Sequence, residues 1–129
     1  MQVVSGALAE ANKRPLRQAV RIIVTAAIAA HRVDPRLHRV LAEQIPRTGK
    51  LEKVETFNRQ NYVSFNQYLE RHRDELRALD LDMAAFVCVT SIEALTHTAV
   101  LHHSEILSDD AAVDTLVDEA TRLVVGYLK

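Results

Sequence analysis

Three glycines and three prolines in 129 residues leave this chain few places to turn sharply. No stretch alternates apolar and polar side chains with the period of two that marks a half-buried strand. Ala, Leu, Arg, Glu and Val dominate, and most of these are strong helix formers. The combination predicts an all-α protein, a single helical-bundle domain of about five helices.

The few turn residues mark where the helices end. Pro15 fits the first turn of a helix running to about His31, where its missing N–H would be unpaired anyway. Asp34-Pro35 couples an N-cap to proline at the first helical position. It opens a short helix through LHRVLAEQ that Pro46 stops, with Thr48-Gly49 completing the turn. A third, long helix is expected over about 51–73. Asp80 or Asp82 then caps a fourth over about 83–102. Ser108, followed by Asp109 and Asp110, caps a fifth to about Leu128, its acidic first turn favoured by the helix dipole. Residues 2–12 are weakly helical.

The last helix carries the cleanest stripe. Val113, Leu116, Val117, Ala120, Leu123, Val124 and Tyr127 follow a 3–4 spacing, a coiled-coil-like seam that can dock on its own domain or on a second copy. The fourth helix is apolar almost all round, as befits a helix covered on most sides. One of its faces holds Ala84, Cys88, Ser91, Leu95 and Ala99, small enough for close helix approach. The opposite face holds Phe86, Thr90, Glu93, His97 and Leu101. Five modest helices would struggle to surround it, and a partner chain is the economical cover.

The third helix carries nearly all the aromatics. Val54, Phe57, Asn61, Phe65 and Tyr68 form one line, with Leu51, Asn58, Tyr62 and Leu69 beside it. Asn58 and Asn61 are anomalous there, because an amide buried without a partner costs about 1–3 kcal/mol. They either bond neighbouring groups at a wet margin or converge on an apolar cavity, which is how small-molecule sites are built. The first helix offers Leu16, Val20, Ile23, Ala27, Ala30 and His31 as a facing wall.

Other classes find less support. A net charge near −1 with no basic block leaves no electrostatic footprint for nucleic acid. The apolar run IIVTAAIAA at 22–30 is far shorter than the roughly 20 residues of a membrane span, and VVSGALA near Met1 lacks the flanks of a signal peptide. The single cysteine, Cys88, cannot form an internal disulfide and suits a reducing compartment. The expectation is a soluble, cytoplasmic, single-domain protein with no membrane role.

EALTHTAVLHH at 93–103 gathers three histidines and a glutamate. Glu93 and His97 lie about 40° apart round a helix and can hydrogen-bond. His102 is about 140° from His97, and His103 points elsewhere, so one helix cannot aim all three at one ion. Neither HExxH nor paired cysteines are present, so no metal or cofactor is expected. His102 and His103 suit the negative end of the helix dipole. No nucleophile–base arrangement stands out, and no catalytic residue is assigned.

The segments RPLRQAVRIIVTAAIAAHRVDPRLHRVLAEQIPR, YLERHRDELR and DMAAFVCVTSIEALTHTAVLHHSEILSDDAAVDTLVDEATRLVVGYL, in that order, resemble the C-terminal regulatory domain of tetracycline-repressor-like (TetR-family) transcription regulators. The resemblance runs from about Arg14 to Leu128. It implies a small effector bound within a helical bundle and homodimerisation through the last two long helices, about 83–102 and 109–128, as a four-helix interface. Family members begin with a helix-turn-helix domain of about fifty residues, which residues 1–13 are too few to supply. Those residues are expected to be the tail of a connecting helix or an extension, with 14–129 the regulatory domain. DNA would be contacted only through an N-terminal domain outside this chain.

The ligand-binding candidates are therefore Phe57, Asn58, Asn61, Tyr62, Phe65, Phe86, Thr90, Glu93 and His31, expected to hold an apolar or aromatic effector with a few hydrogen-bonding groups. The interface candidates are Leu95, Ala99, His102, Val113, Leu116, Val117, Ala120, Val124 and Tyr127. The alternative is a structural or protein-interaction bundle with no small-molecule site.

Overall fold

A computed structural model describes residues 2–32 and 51–129, with side chains at 6, 7, 9–30 and 59–129. The described residues form helices α1 (Gln2–Ala11), α2 (Leu16–Arg32), α3 (Leu51–Arg71), α4 (Leu81–His102), α5 (Ser104–Leu107) and α6 (Asp110–Leu128), with a 3-10 turn at Arg73–Glu75. No strand occurs among them. The all-α expectation holds, and α1 regularises the weakly helical start. The short helix expected after Asp34 lies outside the described residues.

Capping explains two of these boundaries. Asp80 sits in extended backbone, and its carboxylate accepts from the Asp82 and Met83 amides, so α4 starts two residues earlier than expected. At α6 the cap is Asp109, accepting from the Ala111 amide, and not Ser108. Ser108 donates its hydroxyl to the Glu105 carbonyl, closing the additional helix α5.

The core has α4 at its centre. α2 packs on α1, α6 and α4, while α3 packs on α4. Contacts of Tyr62 with Phe86 and of Asn66 with Asp82 show that α3 and α4 run antiparallel. Nine α4 side chains are buried, among them Ala84, Cys88 and Ala99, so its small-residue side faces the core. The helix also meets the demands of a membrane span by length and by a mean hydropathy of 1.5, as the central helix of a bundle can.

Only one side of the α6 seam is covered within the chain, since Leu123 stays exposed and Leu116 and Tyr127 are half-buried. Val113, Val117, Ala120, Thr121, Val124, Val125 and Leu128 are buried, and α2 is the neighbour packed most closely along α6. An Arg21–Asp118 ion pair bridges the exposed edge of that contact. Among the described residues α2 packs chiefly on α1 and α6, while His31 and the stripe side chains before Arg59 lie outside the described side chains. Phe65, Tyr68 and Leu69 complete the core beside α4.

Asp80 supplies two hydrogen bonds to otherwise unpaired amides at the start of the central helix. Asp80→Ala is expected to cost about 1 kcal/mol, seen as a melting temperature lower by about 4 °C. An unchanged melting temperature would show that the cap is dispensable.

Candidate functional site

The antiparallel pair α3–α4 leaves an open cleft of about 460 Å³ along its outer edge. Tyr62, Val63, Asn66 and Gln67 line it from α3, and Asp82, Ala85 and Phe86 from α4. The i, i+4 pairs Tyr62/Asn66 and Asp82/Phe86 bring side chains one turn apart onto facing sides. Phe86 and Val63 remain about half exposed, at 51% and 52%. Large apolar groups are therefore presented at the cleft and not folded into the core.

Its polar groups are few and placed. The rings of Tyr62 and Phe86 lie 5.8 Å apart, tilted by 45°, a favourable aromatic geometry. Tyr62 Oη is 3.4 Å from Thr90 Oγ1, within hydrogen-bond reach. Asn66 Nδ2 donates to Asp82 Oδ1 at 2.6 Å, a charge-assisted bond across the mouth. A flatter hollow of about 510 Å³, lined by Arg59, Gln60, Val63, Ser64 and Gln67, continues from it along α3. An apolar wall with an amide, a carboxylate and a hydroxyl pair can hold an aromatic or aliphatic molecule and orient it.

Of the residues expected from sequence, Tyr62 and Phe86 line the cleft and Thr90 touches it through Tyr62. Asn61 and Glu93 are half-buried outside its lining. Phe65 is 2% exposed and belongs to the core. The side chains of Phe57, Asn58 and His31 lie outside the described residues. Val63, Asn66, Gln67, Asp82 and Ala85 escaped the sequence reading. Asn66 could have been found as the residue one turn beyond Tyr62, and Asp82 as a carboxylate in the first turn of the helix carrying Phe86.

The interface candidates divide sharply. Ala99, Val113, Val117, Ala120 and Val124 are buried in the single chain. Leu95 and His102 are exposed, while Leu116 and Tyr127 are half-buried. Cys88 is buried in an apolar setting that pushes its thiol up to about 12, so it stays protonated at neutral pH. Among the described residues, no three His, Cys, Asp or Glu side chains gather as metal ligands.

A model of the family described as tetracyclin repressor-like, C-terminal domain, matches residues 15–128. Comparison with the curated proteins and with the solved structures returns no match.

Burial holds the Glu93 carboxyl above its ordinary value of 4.5. The folded state therefore binds this proton more tightly than the unfolded state, and the ionised form weighs against folding once pH rises above the unfolded value. Glu93→Gln is expected to raise the melting temperature at pH 7 and to leave it near wild type at pH 4. A lower melting temperature at pH 7 would mean that the carboxylate is compensated by a partner.

Proposed function

The chain belongs to the tetracyclin repressor-like C-terminal domain family, matched over residues 15–128, and from that premise we propose that it senses a small molecule and dimerises. Domains of this family are regulatory and not enzymatic, and they generally bind ligands and dimerise. The observation that carries the ligand half of the proposal is the α3–α4 cleft, with its Tyr62–Phe86 pair and its Asn66–Asp82 bond. Such a lining suits an apolar or aromatic effector bearing one or two hydrogen-bonding groups. In a cytoplasmic regulator, occupancy would govern DNA binding by an N-terminal domain through the relative packing of the helices.

Dimerisation draws on surfaces the single chain leaves uncovered. At 100° per residue, Ala112, Leu116, Leu123 and Tyr127 form an apolar line beside the buried seam of α6. Leu123 is 56% exposed. On α4 the outward arc runs through Met83, Val87, Thr90, Ala94 and Leu101, none of them charged. These two lines are the proposed contact with a second copy. Exposed Met83 and Phe86 would suit a different protein equally well, and the ligand experiment separates the two readings.

Melting of the protein across a library of aromatic and aliphatic compounds tests the ligand half. A binder at a hundred times its Kd stabilises by about 2.7 kcal/mol, and Phe86→Ala is expected to weaken it about tenfold or more. No shift with any compound would favour an interaction bundle. Sedimentation tests the dimer half. Leu123→Glu is expected to give a folded monomer where the wild type is a dimer, whereas Val117→Glu, placed in the core, is expected to unfold the chain. A monomeric wild type at tens of micromolar would remove that half.

A further inference from the structure

Helix α1 packs along α2. Among its described side chains Ala11 is buried, while Gly6, Ala9 and Glu10 are exposed. The turn at 12–15 joins this pair and lies where it meets the rest of the bundle. That turn is closed locally by the Lys13 amide on the Glu10 carbonyl and the Arg14 amide on the Ala11 carbonyl.

The start of α2 has no cap of its own. Pro15, in the capping position, has no side-chain acceptor to offer, and Arg14 before it has only donors. Its guanidinium is engaged with Glu10 at 2.7 Å. The acceptor comes instead from 59 residues away, as the Leu16 amide donates to Glu75 Oε1 at 3.2 Å. On the other side of Pro15, the Arg14 carbonyl accepts from Tyr68 Oη at 2.8 Å. Side chains of one distant segment thus grip both main-chain groups that flank the proline.

His72 joins the two grips. Its ring stacks on Tyr68 with centroids 4.1 Å apart and planes 17° from parallel. Its Nδ1–H donates to the second oxygen of Glu75 at 2.7 Å. Tyr68 is 3% exposed, and burial first and Glu75 second push its hydroxyl up to about 12, so it remains a donor at neutral pH. The Leu16 amide, with His72 and Lys129, holds the Glu75 carboxyl below its usual range, so it remains an acceptor. The segment is anchored in turn to the end of α6. Arg77 donates from its amide to the Leu128 carbonyl at 3.0 Å and from Nε to the Tyr127 carbonyl at 2.8 Å, and its guanidinium lies over the Tyr127 ring.

We propose that Tyr68, His72 and Glu75 form a latch on the α1–α2 turn that sets the direction in which α1 leaves the bundle. The latch stands whether or not the cleft binds a ligand. A segment joined ahead of α1 would inherit its direction from the α1–α2 pair and from the three side chains that hold its turn.

The test places spin labels at the exposed positions of Ala9→Cys and Glu119→Cys, leaving the buried Cys88 in place, and reads the distance distribution together with hydrogen exchange of the amides at 12–18. The wild type is expected to give one narrow distribution and a protected Leu16 amide. Tyr68→Phe and Glu75→Ala should each broaden the distribution and speed Leu16 exchange about tenfold. Glu75→Gln, which keeps an acceptor oxygen, should retain most of the protection. Asn66→Ala, which breaks a hydrogen bond of the cleft, should change neither readout. Tyr68→Phe removes a single hydroxyl and carries the test if Glu75→Ala fails to fold. Unchanged distance and exchange in folded Tyr68→Phe, or equal broadening in Asn66→Ala, would overturn the proposal.

Discussion

A helix of 22 residues with apolar side chains almost all round must be covered, and α2, α3 and α6 all pack on α4. The side carrying Ala84, Cys88, Ile92 and Ala99 lies in the core. Small residues there let the neighbouring backbones approach closely. α3 closes a second side through Ala85 and Val89, antiparallel to α4. Among the described residues the outward arc stays open, and Met83 and Phe86 are 56% and 51% exposed. The cleft edge and the proposed partner surface both lie along it.

The ends of the helices divide by where their caps originate. Asp80 and Asp109 act on amides two or three residues ahead, so α4 and α6 can begin before any tertiary contact forms. α2 has no such local acceptor, and Glu75 reaches its first amide from beyond α3. The cap of α2 therefore comes with the bundle, unlike those of α4 and α6. That difference makes the α1–α2 turn a place where the fold can yield without losing its core.

Helix positions were legible in the sequence because the signals are local: proline at 15, the aspartates at 80 and 82, the polar run from Ser108, and 3–4 spacing from Val113 to Tyr127, although the cap itself proved to be Asp109 and not Ser108. The occupant of each stripe was not legible. An apolar seam reads the same whether it meets its own domain or a second copy, and Val113, Val117, Ala120 and Val124 meet their own. Tyr62 and Phe86 could be found as exposed-tending aromatics, but Asn66 and Asp82 matter only through each other, across two helices. Phe65 shared a line with the candidate pocket residues, yet packing turned it into the core. Tyr68 looked like one more aromatic of the stripe, because nothing local shows that its hydroxyl reaches Arg14.

α3 is the element on which these features converge. Tyr62 and Asn66 face the cleft, while Tyr68 lies on the same helix with its hydroxyl on the α1–α2 turn. An effector can shift such a system only if it binds two arrangements differently. The cleft meets that requirement in principle, because its lining spans two helices joined at the mouth by the Asn66–Asp82 bond. On the proposed reading, a ligand that spread or closed α3 against α4 would strain this bond at one end and the Tyr68 grip at the other.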